Sequence, residues 1–374
     1  MVKRIRVGLV FGGRSGEHEV SLLSARSVMN ALDKLKYDVV PLGITREGRW
    51  LTDGDPMSEL LSLGSGKAPM ALGQGTDAQG KAVLAPEGGR RELVPGVRSQ
   101  GVPAVDVLFP VLHGPYGEDG TVQGLFELAN IPYVGAGVLG SALAMDKAAM
   151  KAVFSAAGFP MADSVLVMRW EWEESPDNVR RRVKELIGYP CFVKPANLGS
   201  SVGVTKAADE EQLTAALSLA ARYDRRLLVE RAINAREIEC SVLGNDHPVA
   251  SLPGEVIPKR EFYDYDAKYL DDHTELVVPA DLPAATVSTI QELAVRAFVA
   301  LDCAGMARAD FFVDRVSGQV YINELNTIPG FTAVSMYPRM WEASGLPYPE
   351  LLDRLIQLAF ERHRQRSRMS TSYR

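Results

Sequence analysis

Cysteine is scarce in this sequence. Cys191, Cys240 and Cys303 are three in 374 residues, far apart and without a C-x-x-C pair. An odd, scattered set excludes a disulfide framework and a cysteine zinc site, and fits a reducing cytoplasm. Long apolar runs are missing too: nothing approaches the roughly 18 residues that a membrane span needs. Met1 to Gly8 enters a strand-like pattern at once, without the apolar core or cleavage site of a signal peptide. Excess positive charge is also lacking. The net charge of −6 argues against a nucleic-acid binder, which needs a basic surface to neutralise phosphates. The one basic stretch, Arg362-His363-Arg364-Gln365-Arg366-Ser367-Arg368, reads as a solvated, frayed terminus rather than a partner site. What is present is ordinary: 46% apolar and 24% charged residues, a globular balance that excludes a disordered scaffold or a rod. At roughly 150 residues per domain, the length calls for two or three domains.

Along the chain the pattern is α/β. An apolar run from Ile5 to Phe11 ends in Gly12-Gly13-Arg14-Ser15-Gly16, and apolar residues then recur at helical spacing to Leu32. Strand, glycine turn and helix open a doubly wound unit. Val105 to Leu112 is a second strand, followed by a helix over Val122–Ala129 and a short strand at Pro132–Val134. The stretch Leu63–Gln100, poor in pattern, reads as a surface insertion; its Gly64-Ser65-Gly66-Lys67 lacks the rest of a phosphate-loop motif. A new unit follows, with a helix over Lys147–Ala157, strands at Ser164–Met168, Cys191–Lys194 and Val202–Lys206, and a helix near Glu210–Ala221. Beyond it come an alternating strand at Glu237–Leu243, a helix over Ala285–Leu301, a hairpin from about Ala307 to Asn326 and a helix over Pro349–Arg362.

Two segments carry chemistry. In Lys194-Pro195-Ala196-Asn197-Leu198-Gly199-Ser200-Ser201-Val202-Gly203-Val204, small residues between two strands let backbone N–H groups turn toward a phosphate, with Lys194 adding charge; an ordinary flexible hairpin would look the same. The later hairpin is more specific. Strand alternation puts Arg308 and Asp310 on one face, and Glu324 and Asn326 on another strand's matching face. A turn near Ser317 sets Asp310 opposite Glu324 and Arg308 opposite Asn326. Two carboxylates and an amide oxygen suit Mg²⁺; the alternative is a charged outer face with Arg308 offsetting the acids. One motif points elsewhere. Gly135-Ala136-Gly137-Val138-Leu139-Gly140 is a G-x-G-x-x-G with Asp163 downstream as a ribose-binding candidate, but it does not open a βαβ unit, which weakens a dinucleotide reading. A tyrosine-rich run, Phe262-Tyr263-Asp264-Tyr265-Asp266-Ala267-Lys268-Tyr269, reads as a loop that closes over a ligand.

Taken in order, these segments resemble the D-alanine–D-alanine ligase family of the ATP-grasp superfamily. The resemblance runs from Ile5 to about Phe360. It rests on Gly12–Ser21, His113–Gly120, Met145-Asp146-Lys147, Lys194–Gly203, Glu230–Glu239, Phe262–Tyr269, Arg308–Asp310 and Asn323–Thr332, running on to Ser335-Met336. It implies an ATP-grasp fold behind an N-terminal doubly wound, parallel-sheet (pre-ATP-grasp) domain. The expected units are 1–135 for substrate, 136–232 with the glycine-rich phosphate loop, and 233–374 with the metal site, the lid and a basic tail from about 362.

The same resemblance implies roles. Glu17 would hold the ammonium of the first D-alanine, joined to Ser200 and Tyr269 in a triad, with His113 nearby. Lys147, Lys194 and Lys268 would meet ATP phosphates, with Ser200 and Ser201 in the loop; Glu230 and Glu237 would reach adenine and ribose. Asp310, Glu324 and Asn326 would ligate two Mg²⁺ ions, for which Mn²⁺ can substitute, with Asn323 and Glu324 at the nucleotide. Arg308 and the Gly330 N–H would stabilise an oxyanion, and Ser335, Met336 and Lys268 would line the second D-alanine site. A cytoplasmic homodimer for peptidoglycan synthesis, with a monovalent cation such as K⁺ as an option, completes the expectation; nucleic acid and membrane are not expected partners. Relatives that take D-serine or D-lactate second are the near alternative, although the lid segment lacks the histidine of the ester-forming type. A nicotinamide oxidoreductase and a non-enzymatic nucleotide-binding module are the distant ones.

Overall fold

The computed structural model describes residues 3–64, 104–199, 202–257, 274–332 and 334–370. Three sheets follow one another along the chain. The first has β1 (Ile5–Gly12), β2 (Tyr37–Ile44), β3 (Trp50–Leu51) and β4 (Val107–Pro110) in the order β3-β2-β1-β4. β1 pairs in parallel with both β2 and β4. A parallel strand is covered on both faces, so its sequence reads as an unbroken apolar run. Val7, Leu9 and Phe11 bury against α1 (His18–Ala31), while Val10 points to the opposite core with Val122 and Phe126 of α3 (Thr121–Leu128). Between β3 and α3 the chain also forms α2 (Pro56–Gly64), and the 65–100 part of the expected insertion lies outside the described residues. The expected strand at Pro132–Val134 is a single bridge from Tyr133 to Leu108.

After α4 (Val138–Met145) and α5 (Lys147–Ala156), the second sheet is antiparallel. It runs β5 (Ser164–Met168), β8 (Arg226–Arg231), β6 (Cys191–Pro195), β7 (Thr205–Ala207). Its core is closed by α6 (Arg169–Glu174), α7 (Pro176–Leu186) and α8 (Glu210–Ala220). Sequence reading overlooked α6 and α7, although Pro176 at a first helical turn and Val179 and Val183 one turn apart are helix signals.

The third sheet is ordered β12 (Glu275–Val277), β11 (Gly254–Ile257), β9 (Ala235–Gly244), β13 (Gly305–Asp314), β14 (Val320–Asn326), with β10 (Val249–Ala250) on β9. α9 (Ala284–Ala300) covers it, and Met150 and Phe154 of α5 join the same core. Then come α10 (Met336–Ala343) and α11 (Tyr348–Ser367). α11 returns to the first sheet, where Leu351, Leu355 and Ile356 share a core with Val7 and Phe109.

The basic end of the chain corrects the expectation of a frayed tail. α11 continues to Ser367, and Arg362 and Arg366 have partners, while Arg364 and Arg368 are exposed as expected. Arg362 donates to the Gly135 carbonyl at 2.6 Å and stacks over the Tyr133 ring at 4.1 Å; Arg366 pairs with Glu127. Cations in a last helical turn also face the negative end of the helix dipole. The G-x-G-x-x-G segment is a packing device. A Cβ on Gly140 would sit 2.7 Å from the Asp302 carbonyl, and Asp163 is paired with Arg231 at 3.0 Å. All three cysteines are free and buried, and burial pushes the Cys191 and Cys240 thiols up to about 11 and about 12. No helix among the described residues is long and apolar enough to cross a membrane.

Candidate active site

Ligands of open parallel sheets collect at the carboxyl ends of the strands. Here those ends are the Gly12–Gly16 turn after β1 and the Leu112–Gly120 loop after β4. Glu17 immediately precedes α1 and is 9% exposed. A Cβ on Gly114 or on Gly199 would lie 2.8 or 2.9 Å from Glu17 Oε2, so both loops bring bare backbone onto this carboxylate. Gly199 belongs to the loop of the second sheet, which therefore meets the first sheet at Glu17.

His113 is buried beside it. Its Nδ1 faces the Ile328 carbonyl at 3.0 Å and its Nε2 faces Ser24 Oγ at 3.2 Å, within α1. Burial lowers the imidazole pKa and Arg308 adds to this, against an upward pull from Glu17. The neutral ring then donates from Nδ1 and accepts at Nε2. Ser24 Oγ in turn accepts from the Phe331 N–H at 3.4 Å. This chain ties α1 and the β4 loop to the segment that carries Gly330. Glu118, in the same loop, accepts from the Gly114 N–H at 2.9 Å. Burial first, and then the Glu17 charge, push its carboxyl up to about 8.

The hairpin has the expected register at its acidic end: Asp310 faces Glu324 and Arg308 faces Asn326. It reaches that register by a bulge. Near the turn, Val313 pairs with Val320 and Phe311 with Ile322, and Asn323 is the additional residue that shifts the ladder before Glu324. Arg308 grips Asp310 with two bonds of 2.7 Å and lies 3.2 Å from Glu239. Asn326 Nδ2 donates to Asp310 Oδ2 at 3.0 Å. Burial disfavours the Arg308 charge, but the surrounding acids, Asp310 first, hold its pKa well above the usual value.

Lysines complete the site. Lys147 begins α5, where Asp146 caps the helix by accepting from the Ala148 and Ala149 N–H groups. Its ammonium donates to the Leu198 carbonyl at 2.8 Å and lies 3.3 Å from Glu324, so it braces the glycine loop against the hairpin. Lys194 and Lys151 each lie 2.5 Å from an oxygen of Glu230, on β8. Burial pulls the Lys194 pKa down, and Glu230, then Glu324 and later Glu237 outweigh it to raise the value. Glu237 sits half-buried on β9. Ser335 precedes α10, and its hydroxyl accepts from the Thr332 N–H at 3.0 Å; a Cβ on Gly330 would lie 2.8 Å from that hydroxyl.

The structure thus gathers Glu17, His113, Lys147, Lys194, Glu230, Arg308, Asp310, Glu324 and Asn326 where the three sheets meet. Met336 is placed otherwise: its side chain packs in an apolar cluster with Val256 and Met340. Ser200, Ser201, Lys268 and Tyr269 lie outside the described residues. Sequence reading passed over Ser24, Glu118, Lys151 and Glu239. Two of these carried a signal: Lys151 follows Lys147 by one helical turn, and Glu239 follows Glu237 on the same strand face. Among the described residues no three His, Cys, Asp or Glu side chains form a metal cluster; the expected set is two carboxylates and an amide.

This architecture, two sheets clasping a lysine-lined junction behind a parallel-sheet domain, is the ATP-grasp fold. Family models described as the D-ala D-ala ligase N-terminus and C-terminus match residues 6–136 and 153–357. The chain belongs to the D-alanine–D-alanine ligase family. It is 51% identical to the D-alanine–D-alanine ligase of Heliobacterium modesticaldum over 98% of this chain and 97% of that one. With that of Geobacillus kaustophilus the identity is 48%, over 99% and 98%. Among solved structures, the D-alanine–D-alanine ligase from Coxiella burnetii superposes with a TM-score of 0.81 at 39% identity, covering 98% of this chain and 97% of that chain. The VanG D-Ala:D-Ser ligase from Enterococcus faecalis gives 0.80 at 37%, covering 96% and 100%.

Proposed function

We propose that this chain joins two D-alanines at the cost of ATP, as its relatives' names describe, supplying a dipeptide for peptidoglycan in the cytoplasm. The observation that carries the reading is the meeting of the glycine-rich loop with both other sheets: Gly199 lies against Glu17, and Lys147 joins the Leu198 carbonyl to Glu324. A carboxylate able to hold an ammonium therefore adjoins a lysine-lined loop able to hold a phosphate. A carboxylate is a poor acyl donor, because its leaving group would be oxide. Transfer of the γ-phosphoryl group of ATP to the carboxylate of the first D-alanine, with ADP leaving, makes an acyl phosphate. Attack by the amine of the second D-alanine forms the amide bond and expels phosphate.

In this reading Glu17 orients the first substrate, and Lys147 and Lys194 meet the phosphates. Arg308 and the Gly330 N–H offset the oxyanion, the latter held in place through Phe331, Ser24 and His113. Ser335, at the positive end of α10, meets the carboxylate of the second substrate. Asp310, Glu324 and Asn326 would hold Mg²⁺: cross-strand oxygen donors on one half-buried face suit a hard cation, which would offset phosphate charge when bound. The test is purified protein with ATP, Mg²⁺ and D-alanine, following phosphate and dipeptide together. Absence of phosphate release would overturn the reading. Because a D-Ala:D-Ser ligase superposes almost as well, the assay includes D-serine and D-lactate as second substrates, and dipeptide formation only with D-serine would reassign the second site.

A further inference from the structure

Lys151, on α5, has no role in the reaction described so far. It is 5% exposed, and Glu230, which it touches, is 4% exposed. Their separation is 2.5 Å, and Lys194 approaches the other carboxylate oxygen at the same distance. One buried anion is therefore held between two ammonium groups. Burial by itself would push the Glu230 carboxyl up, but Lys194 and Lys151 together hold it down to about 2, so it is ionised.

The two lysines are not equivalent. The Lys194 side chain is 13% exposed, meets Glu230 Oε2 and lies in the field of Glu324 and Glu237; that of Lys151 is 6% exposed and meets Glu230 Oε1. We infer that Lys151 is a positioning residue for the nucleotide: it neutralises Glu230 so that Lys194 can turn toward a phosphate without stranding a buried charge. The inference rests on the ATP reading of Lys194. Removing one partner of a buried ion pair is costly because the other charge is left uncompensated. With Lys151 in place, Lys194 exchanges one anion for another and Glu230 keeps a cation. Without it, Glu230 has Lys194 alone, and each phosphate contact competes with that pair.

The experiment uses the full-length protein and the variants Lys151→Met, Lys151→Arg, Glu230→Gln and the double variant Lys151→Met/Glu230→Gln. KM for ATP, KM for D-alanine and kcat are read from phosphate release, and the affinity for ADP with Mg²⁺ by calorimetry. Lys151→Met is expected to raise KM for ATP and the ADP dissociation constant about a hundredfold, with KM for D-alanine within about threefold. Lys151→Arg restores most of the affinity. In the Glu230→Gln background, where there is no buried carboxylate for Lys194 to leave behind, removing Lys151 costs less than about threefold more. A loss of equal size in both backgrounds, or ADP affinity within about threefold of wild type in Lys151→Met, overturns the inference. Should Lys151→Met not fold, the comparison of the double variant with Glu230→Gln and the behaviour of Lys151→Arg still decide it: a large further loss in the former, or a loss in the latter as great as a hundredfold, is refuting. Wild-type protein that releases no phosphate overturns the proposed function instead, while the ADP titration continues to report on Lys151.

Discussion

Replacing Glu118 with Gln should make the protein more stable, and increasingly so as pH rises. Glu118 lies in the loop after β4, with the Gly114 N–H on Oε1 at 2.9 Å and the Glu17 carboxylate nearby. Burial and that like charge lift its pKa from 4.5 to about 8. At pH 4 and below, the group carries its proton in both the folded and the unfolded chain and contributes no pH dependence. Between about 4.5 and 8 the folded protein keeps a proton that the unfolded chain has released. Stability then falls as pH rises, by about 1.4 kcal/mol per unit. Over the whole window the loss is on the order of 5 kcal/mol, levelling off above the folded pKa. Glutamine keeps the shape and the acceptor oxygen but has no proton to lose. Its melting temperature should match wild type near pH 4.5, rise above it through pH 6 and 7, and lead by the widest margin at pH 8 and beyond. A constant difference across pH would refute the reasoning, since it would mean that Glu118 titrates alike in the folded and unfolded chain. So would a variant that loses stability as pH rises. Burial is the larger cause and the Glu17 charge the smaller, so Glu17→Gln should shrink the step without abolishing it, whereas Glu118→Gln removes it.

Other changes probe the rest of the site. Ser24→Ala leaves His113 Nε2 and the Phe331 N–H without their buried partner, and should cost about 1–3 kcal/mol in thermal melts with a fall in kcat larger than any rise in KM; unchanged turnover would detach this chain from Gly330. Gly140→Ala drives a Cβ to 2.7 Å from the Asp302 carbonyl. Overpacking of about 1–3 kcal/mol should exceed the helix-propensity gain of about 1 kcal/mol, with KM for ATP unaltered. Stability equal to wild type with lost nucleotide affinity would instead restore a ligand role to the glycine motif. Glu324→Gln removes one of the two carboxylates on the metal face and should cut Mg²⁺-dependent phosphate release about a hundredfold or more; wild-type rates would reject the metal assignment.

Local pattern explains why much of this was legible. A parallel strand covered on both faces is a continuous apolar run, so β1 and β4 were visible, as was the helix that starts at the end of the glycine turn. The motif order carried the family, and hence the site residues that the structure gathers. Less was legible where a residue's task depends on its distant neighbours. The Asn323 bulge is one case. The turn pairs Val313 with Val320, and an unbroken ladder from there would have set Asp310 opposite Asn323; the additional residue brings Glu324 into register. Counting from Ser317 reached the right pairing without the bulge that produces it. The basic end of α11 is another: its charges look solvated until the helix is laid against Gly135, Tyr133 and Glu127.

The sequence by itself determined the family, most of the strands and helices and the absence of a cysteine scaffold, because these follow from side-chain chemistry and near-neighbour spacing. Only the tertiary structure decided which charges meet in the interior. Lys151 and Glu230 are 79 residues apart in number, and Ser24 and Phe331 are 307 apart. Their contacts arise where separate sheets close on one another, and the energies involved come from burial, which is a property of the assembled fold.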